Sequence, residues 1–565
     1  MPFKEYKSLN LSKIAKEILK DWDSNQSFEK SISLRKGCPK YVFYEGPPSA
    51  NGMPGIHHVM ARAIKDIFCR YKTLKGFQVD RKAGWDTHGL PIELSVEKEL
   101  EITKEDIGKS ITIEDYNNAC KKAVMRYTDV WNDLTKKMGY WVDMENPYMT
   151  YKSKYIESVW WLLKQLFDKG LIYKGYTVQP YSPKAGTGLS SHELNQPGTY
   201  QDVTDTSVTA QFKTLNNTLP NSIKHIKNVY LLAWTTTPWT LPSNTALTIG
   251  ENIEYILVST FNQYTKRQIH VILAKDLLSK VFLGPFVEVK NESLLKLNSK
   301  NKIPYFLKQT FKGNELIGVK YEQLWTEAPL PWKNGENAFR VIGGDFVTTD
   351  DGTGIVHTAP TFGADDAKAA KDATPEVPPM LIYDDNQQLV PLVDLQGKFR
   401  TELGSLGGKY VKNEYYNSKD KIPERSVDVE IAIKLKEENK AFRVEKYVHS
   451  YPNCWRTDKP ILYYPLDSWF IKVTEKKSLL TELNQSINWK PKSTGDGRFG
   501  NWLANANDWN LSRSRFWGIP LPIWRSEDSK ETLIIGSVQE LKREIIKSLK
   551  LGFMDTDPFD SFEIN

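Results

Sequence analysis

Residues 41–66, with the sequence YVFYEGPPSANGMPGIHHVMARAIKD, run from an apolar segment through a turn-rich loop into an amphipathic segment. The apolar run at 41–44 is typical of a buried parallel strand, which the following glycines and prolines end. From Ile56 onward, apolar residues recur at helical spacing, so a helix is predicted to begin beside His57 and His58. Free N–H groups in a first turn and the helix dipole attract anions. The stretch therefore predicts a strand–loop–helix unit that directs backbone amides and two imidazoles toward the phosphates of a nucleotide.

The composition is that of a large globular protein. Of 565 residues, 40% are hydrophobic and 26% are charged, which argues against a disordered or fibrous chain and predicts three or four domains. A formal net charge of +7 is small for this length, so it permits an RNA partner without requiring one. The sequence has no apolar stretch of about 18 residues, and lysines near its start argue against a signal peptide. We therefore expect a cytoplasmic protein with no membrane-spanning segment.

The order of segments predicts an α/β fold in which a doubly wound domain is split by a β-rich insertion. Thr112 and Asp115 predict an N-cap for a long helix that runs to about residue 138. The predicted divisions are an N-terminal extension at 1–40, the first part of the doubly wound domain at 41–195, a mostly β domain at 196–400, a connecting region at 401–445, a return to the first domain at 446–524, and the start of a further insertion at 525–565.

Two strings identify a family. PPSANG at 47–52 and GWDTHGLPIE at 84–93 resemble the isoleucyl-tRNA synthetases, which are class I aminoacyl-tRNA synthetases. The resemblance covers nearly the whole chain. It implies a Rossmann-like catalytic domain interrupted by an editing domain, which activates isoleucine with ATP and Mg²⁺, transfers it to tRNA(Ile) and hydrolyses misattached valine. It also implies a monomer.

The first signature of the family, His-x-Gly-His, is altered in this chain. Its positions fall on Gly55, Ile56, His57 and His58, so the first histidine is glycine and the glycine is histidine. The resemblance implies that His57 and His58 are catalytic and that Gly52, Gly55, His57 and His58 bind ATP. Either His57 replaces the missing imidazole or activation is weakened, and we favour replacement. Analogue inhibitors that pack against the usual glycine are expected to bind less tightly here.

The resemblance also predicts an amino-acid site. Asp86 matches the carboxylate that pairs with the substrate's α-ammonium group, a charge-assisted contact. Pro47 and Trp517 match residues that wall the isoleucine pocket, and Trp517 lies in the string DWNLSRSRFWG at 508–518. The alternatives are an aspartate in a turn and a tryptophan in the core.

A second site is expected because an apolar pocket gains only about 1–3 kcal/mol from one methylene, a limit usually illustrated with this family's own choice between isoleucine and valine. The strings WTTTPWTLPSN at 234–244 and GTGIVHTAPTFGADD at 352–366 resemble the family's editing strand and loop. By that match, Asp366 holds the ammonium group of misattached valine. The residues that shape the pocket and position water and the tRNA 3′ end are Thr235, Thr236, Thr237, Asn244 and His357. A threonine run alone more often reflects strand propensity.

Some features of the family are missing. Where zinc-carrying relatives place cysteines, only Cys454 remains, and one thiolate cannot make a tetrahedral site, so no structural zinc is predicted. Neither a Lys-Met-Ser-Lys-Ser loop nor an anticodon-binding domain occurs in these 565 residues. We therefore expect a fragment of a longer enzyme that edits weakly and activates poorly or not at all by itself.

Two rival interpretations stay open. A synthetase for valine or leucine is the nearer one, although ANG at 50–52 and GWDTHG at 84–89 favour isoleucine. The other is a non-catalytic RNA-binding or regulatory module descended from a synthetase, which the altered histidines and the missing lysine loop suggest. That module would not deacylate valyl-tRNA.

Overall fold

The computed structural model describes residues 8–297, 302–385, 387–417 and 420–560. These residues form two units. Unit 1 contains the described residues up to Tyr173, Ile471–Asp508 and the described residues from Arg515 onward. Unit 2 contains the described residues of Lys174–Phe470 and Trp509–Ser514. The fold is mixed α/β, with a parallel sheet in unit 1 and a large mixed sheet in unit 2.

The strands are β1 Lys40–Tyr44, β2 Gln78–Trp85, β3 Asp143–Met149, β4 Ile172–Ser182, β5 Thr187–Gly188, β6 Tyr200–Lys213, β7 Val229–Thr235, β8 Ala246–Ile249, β9 Glu254–Phe261, β10 Gln268–Ala274, β11 Phe286–Glu288, β12 Ile303–Lys312, β13 Arg340–Gly343, β14 Ile355–Thr358, β15 Leu381–Tyr383, β16 Leu389–Pro391, β17 Ala441–Pro452, β18 Leu462–Ile471, β19 Trp509–Asn510, β20 Ile523–Arg525 and β21 Thr532–Ile534.

The helices are α1 Leu11–Ser24, α2 Ser27–Ser33, α3 Ile56–Leu74, α4 Leu90–Leu100, α5 Ile113–Val124, α6 Thr128–Lys137, α7 Ser153–Asp168, α8 Ser191–Leu194, α9 Leu278–Val281, α10 Ala364–Asp372, α11 Val427–Glu437, α12 Val473–Asn484, α13 Gly500–Ala504 and α14 Val538–Lys550.

The predicted strand–loop–helix unit is confirmed in unit 1. β1 pairs in parallel with β2, from Lys40 opposite Gln78 to Tyr44 opposite Lys82, and β2 pairs in parallel with β3. α3 connects β1 to β2 and begins at Ile56, as predicted. The two parallel strands therefore end at one edge of the sheet, where ligands of open α/β sheets bind.

The expected burial of β1 is wrong. Val42 and Tyr44, which share one face of the strand, are 58% and 62% exposed, so that face is not covered within the described residues. α3 likewise buries its polar side, on which Arg62 donates a hydrogen bond to Thr135 Oγ1 at 2.8 Å. The apolar residues of its other side are exposed, among them Ile56, Met60, Ile64, Ile67, Phe68 and Leu74.

The predicted long helix after Thr112 is two helices. The N-cap is confirmed, since Thr112 Oγ1 accepts the Asp115 N–H at 3.0 Å. The helix then breaks between α5 and α6, where the Tyr127 N–H donates to Ala50 O at 3.0 Å. Trp131 Nε1 donates to Gly52 O at 2.9 Å. Residues at and just after the break thus donate hydrogen bonds to the loop at 47–52. Helical periodicity does not reveal such tertiary interactions.

Unit 2 is built on a ten-stranded mixed sheet. Its strand order is β11-β12-β9-β10-β7-β14-β8-β13, with β6 beside β7 and β17 beside β6. Alternating apolar residues of the central strands pack into one core, including Val208, Leu231, Leu257, Val271 and Leu273, all fully buried. This core fixes the ends of β7 and β14, from which the residues of the second candidate site project.

Within the described part of the chain, no helix combines the length and the apolar character that crossing a membrane requires.

Candidate active sites

The loop before α3 determines which ring nitrogen of His58 carries the proton. The Gly55 N–H donates to His58 Nδ1 at 2.9 Å, and the His58 ring lies edge-on to Trp131 at 4.7 Å. Burial, followed by the positive charges of His57 and Arg62, lowers the pKa of His58. The neutral ring, whose Nδ1 is an acceptor, carries its proton on Nε2. His58 can therefore donate from Nε2.

The ring of His57 lies against Gly55. A Cβ atom on residue 55 would stand 2.8 Å from His57 Cε1 and 2.9 Å from His57 Nδ1. The centroids of the His57 and His58 rings are 3.8 Å apart, and His57 is exposed. The imidazole at 57 thus occupies the space beside residue 55 into which a side chain at that position would extend. Gly52 is also exposed, with open space where its side chain would be.

Asp86 lies directly beyond the carboxyl end of β2, next to the loop at 47–52. Its N–H donates to Pro48 O at 3.0 Å, and its Oδ1 accepts the His88 N–H at 3.4 Å. Burial raises the pKa of Asp86. Pro47, half-buried, precedes the Pro48 that makes this contact. The structure thus brings the two strings that identified the family to one edge of the parallel sheet.

Trp517 is held beside this edge by a buried carboxylate. Glu93 Oε1 accepts the N–H groups of Phe516 and Trp517 at 3.1 and 3.0 Å, and its Oε2 accepts from Arg515 Nε at 3.1 Å. Trp517 Nε1 donates to Thr87 O at 2.6 Å. Sequence reasoning did not single out Glu93, although it is the last residue of the string GWDTHGLPIE. A carboxylate at the first turn of a helix within a family string was the available signal.

The two strings of the second site meet at a cavity of about 400 Å³ in unit 2. Five of the six predicted editing residues line this cavity, namely Thr235, Thr236, Thr237, His357 and Asp366. Asn244 does not line it; this side chain is 2% exposed and lies behind His357.

The threonine run is a turn rather than a strand. β7 ends at Thr235, so strand propensity accounts for only the first of the three predicted threonines. The Thr237 N–H donates to Thr235 Oγ1 at 3.0 Å, and the two hydroxyl oxygens are 3.2 Å apart. Hydroxyls that both donate and accept therefore face a cavity from a turn that side-chain hydrogen bonds hold.

His357 is a buried neutral ring at the middle of β14. Burial lowers the pKa of His357 to about 3. Its Nε2 is 3.0 Å from Thr240 Oγ1, and its Nδ1 is 2.8 Å from Asn244 Nδ2. Both ring nitrogens are therefore engaged by protein groups.

Asp366 projects from the first turn of α10. Its Oδ2 accepts the Ala359 N–H at 2.8 Å. Burial raises the pKa of Asp366 to about 6, with a smaller contribution from the charge of Asp365. Gly363 allows this approach, because a Cβ there would lie 2.6 Å from Asp366 Cγ. The half-buried carboxylate is ionised near pH 7 and is suited to bind a cation from the cavity.

Two residues that sequence reasoning missed support the threonine turn. Asp428 Oδ1 accepts the Trp239 N–H at 2.9 Å, and Asp428 Oδ2 is 3.7 Å from Lys412 Nζ. Lys412 Nζ also contacts Asp205 at 2.8 Å. Both Lys412 and Asp428 fall in the segment that the sequence assigned to a connecting region, where only their rarity as buried charges could have marked them.

No metal ligand set is evident in the part of the chain that the structure describes: no group of three or more His, Cys, Asp or Glu residues is arranged to hold an ion. Cys454 is a buried free cysteine. The expectation of no structural zinc stays a prediction.

The chain is similar to a family of known enzymes and to several curated proteins. The family model described as tRNA synthetases class I (I, L, M and V) matches residues 17–552. The isoleucine–tRNA ligase of Cytophaga hutchinsonii is 60% identical over 557 residues, which cover 97% of this chain and 49% of that protein. The isoleucine–tRNA ligase of Bacteroides fragilis is 58% identical over 575 residues, which cover 99% of this chain and 49% of that protein. The chain thus spans about half the length of these curated relatives.

Among solved structures, the ternary complex of Agrobacterium radiobacter K84 agnB2 LeuRS–tRNA–LeuAMS is similar over 93% of this chain and 52% of that chain, with a TM-score of 0.34 and 14% sequence identity.

Proposed function

Because the chain belongs to the class I tRNA synthetase family, we propose that it takes part in isoleucine–tRNA ligase activity. The proposed steps are activation of isoleucine by ATP, transfer of isoleucine to tRNA(Ile), and hydrolysis of misattached valine. Relatives of 58% and 60% identity that carry this name support the substrate. The observation that carries the proposal is the cavity in unit 2, where Thr240 and His357, 117 residues apart in sequence, are hydrogen-bonded beside the threonine turn.

In the proposed editing step, the Asp366 carboxylate pairs with the α-ammonium group of an aminoacyl ester. One oxygen of Asp366 is held by the Ala359 N–H, so the carboxylate is oriented before the substrate arrives. The hydroxyls of Thr235, Thr236 and Thr237 line the same cavity and supply donors and acceptors for the tRNA 3′ end and a water molecule.

In the proposed activation step, His58 and His57 donate to the phosphate oxygens of ATP, which is bound as its Mg²⁺ complex. Charge on these oxygens builds up in the transition state, where preorganised donors act most strongly. Gly52, with open space where its side chain would be, leaves room for the nucleotide, and Gly55 leaves room for the His57 ring beside it. Asp86 pairs with the ammonium group of isoleucine, while Pro47 and Trp517 wall its side chain. The place of the His57 ring beside Gly55 supports replacement of the missing signature imidazole.

The editing proposal is tested by single-turnover deacylation of valyl-tRNA(Ile) with excess protein. Asp366→Asn removes the charge and retains an acceptor for the Ala359 N–H, so we expect deacylation to fall about 100-fold or more. Asp365→Asn is the matched control, since Asp365 is the exposed neighbouring carboxylate of the same helix turn. Equal rates for Asp366→Asn and the unmodified chain would reject the proposed role.

The choice of amino acid is tested by isotope exchange between pyrophosphate and ATP. The full-length gene product is assayed with isoleucine, valine and leucine in turn. The highest kcat/KM with isoleucine supports the proposal, while a higher value with valine or leucine supports the rival synthetase. Binding of tRNA without exchange or deacylation would support the non-catalytic module, which the assembled cavity argues against. A cytoplasmic location, a monomeric state and the six sequence divisions stay proposals.

A further inference from the structure

A directed series of hydrogen bonds runs from a buried tyrosine to the threonine turn. Tyr321 Oη donates to Asn244 Oδ1 at 2.7 Å. Asn244 Nδ2 donates to Ala246 O at 2.8 Å and lies 2.8 Å from His357 Nδ1. His357 Nε2 lies 3.0 Å from Thr240 Oγ1, which donates to Thr237 O at 2.8 Å.

The direction of each bond follows from the first two. The Asn244 amide cannot be turned round, because its oxygen would then face the Ala246 carbonyl oxygen. Ala246 O and His357 Nδ1 both lie 2.8 Å from Nδ2, while Thr358 O is farther away at 3.4 Å. The two amide hydrogens therefore point at Ala246 O and at His357 Nδ1, which accepts. The neutral ring then has its proton on Nε2 and donates it to Thr240 Oγ1. That hydroxyl donates in turn to the Thr237 carbonyl.

We propose that Tyr321 and Asn244 are positioning residues that hold His357 in the Nε2–H tautomer and thereby fix the turn that lines the editing cavity. The proposal rests on the proposed editing function. In this state, His357 is a donor to Thr240 on one side and an acceptor from Asn244 on the other. His357 therefore orients the turn and does not act as the base that activates water.

Tyr321 is well suited to this role. It is 2% exposed and does not line the cavity. Its ring packs edge-on against Phe212 at 5.3 Å and Phe339 at 6.2 Å, and its N–H donates to Phe339 O at 2.9 Å. Because packing holds the ring and a hydrogen bond holds the backbone, the hydroxyl of Tyr321 stays in place.

Asn244→Asp replaces the donor to His357 Nδ1 with an oxygen of nearly the same shape. That oxygen also faces Ala246 O, so urea unfolding of the variant is measured beside its tautomer. An ionised aspartate accepts from Nδ1–H, so we expect His357 to carry its proton on Nδ1 and to accept from Thr240. The Thr240 hydroxyl then donates to His357, and its hydrogen bond to Thr237 O is lost. Tyr321→Phe removes the hydrogen bond that anchors the Asn244 oxygen. Because Ala246 O still orients the amide, we expect the Nε2–H tautomer to stay the major one, with a minor Nδ1–H population.

The tautomer is read directly by NMR of the 565-residue chain labelled with ¹⁵N-histidine. The sequence has eight histidines, and the His357 signals are assigned by their loss in His357→Gln. We expect the Nε2–H pattern in the unmodified chain, the Nδ1–H pattern in Asn244→Asp, and in Tyr321→Phe the Nε2–H pattern with a minor Nδ1–H population. His270, a half-buried ring bonded to Ser259 in the same unit, is an internal control that should not change.

Function is read by deacylation of valyl-tRNA(Ile) under single-turnover conditions. We expect a loss of about 100-fold for Asn244→Asp and about tenfold for Tyr321→Phe, mainly in the rate at saturating protein. Tyr415→Phe is the matched control, because Tyr415 is equally buried and donates its hydroxyl to Pro460 O at 3.0 Å. It should change neither the tautomer nor the rate.

The outcomes separate this inference from the proposed function. An Nε2–H pattern that persists in Asn244→Asp overturns the inference, as does full deacylation by a variant whose tautomer has reversed. If the unmodified chain deacylates no aminoacyl-tRNA, the editing function fails and the role of the two residues in it fails as well. The NMR spectra then still report whether the Tyr321–Asn244 pair sets the tautomer.

Discussion

The two candidate sites differ in how their own units hold them. In unit 2, His357, Thr240 and Asp366 each have a hydrogen-bond partner within the unit. In unit 1, His57 is exposed and α3 presents an apolar side to solvent within the described residues. Preorganised groups catalyse because their orientation costs nothing at the moment of reaction. The residues of unit 2 therefore orient the groups around its cavity, while the groups around α3 are only partly enclosed by those of unit 1.

In each unit, a buried carboxylate accepts backbone hydrogen bonds from residues near the candidate site. Unit 1 holds Trp517 through Glu93, and unit 2 holds the threonine turn through Asp428. Substitutions at these two acids, and then at the sites themselves, measure how far each unit depends on its support.

The largest effect is expected for Glu93→Ala in unit 1. This change removes one of the two carboxylates that pair with the buried Arg515 side chain, and it removes the acceptor of the Phe516 and Trp517 N–H groups. Removing one partner of a buried pair costs about 3–5 kcal/mol of unfolding free energy. Urea unfolding measures it, with Glu99→Ala of the exposed Glu99–Arg126 pair as the control that should show no measurable change. Equal midpoints for the two variants would contradict the supporting role of Glu93.

The next effect is expected for Asp428→Ala in unit 2. The Trp239 N–H loses its acceptor and Lys412 loses one of its two carboxylates, at a cost of about 2–3 kcal/mol. Because Lys412 keeps Asp205, the loss should be smaller than that of Glu93→Ala. Urea unfolding and deacylation of valyl-tRNA(Ile) are measured together. If Asp428→Ala changed neither the free energy of unfolding nor the deacylation rate, the turn would not need this support.

A smaller effect of opposite sign is expected for Asp366→Asn. The folded pKa of about 6 lies above the unfolded value of about 3.9, so ionisation of Asp366 destabilises the folded state. The penalty is absent below about pH 4, grows between pH 4 and 6, and is full above pH 6. We expect the variant to gain on the order of 2 kcal/mol at pH 8 and nothing at pH 4, although it loses deacylation. Thermal unfolding at the two pH values measures the gain, and a difference that does not depend on pH would refute it.

The smallest effect is expected for Gly55→Ala. The new Cβ would stand 2.8 Å from the His57 ring, which is exposed and can turn aside. We expect a loss of less than about 1 kcal/mol in stability but a raised KM for ATP in pyrophosphate exchange by the full-length gene product. Gly52→Ala, with open space at its Cβ, is the control for stability. A change in KM that persists in the His57→Gly background would show that the clash with this ring is not its cause.

Much of the architecture could be predicted from local patterns. The start of α3 at Ile56, the cap at Thr112 and the parallel pairing of β1 with β2 follow from spacing, capping chemistry and turn residues. The break between α5 and α6 could not be predicted in this way, since it depends on hydrogen bonds from Tyr127 and Trp131 to a loop almost 80 residues away. The exposure of β1 was missed because an apolar run reports a tendency to be buried and not whether a neighbour covers it.

The sequence by itself determined which chemical groups this protein has near its candidate sites: the altered histidine signature, the acids at 86 and 366, and the threonine run. Composition and order along the chain are enough for that, because residue types carry the chemistry. Only the tertiary structure decided that Asn244 lies behind the cavity, that Ala246 O orients its amide while Tyr321 anchors it, and that Glu93 holds Trp517. The physical reason is that hydrogen bonds between distant segments require mutual distance and orientation, which arise only when the strands and helices pack.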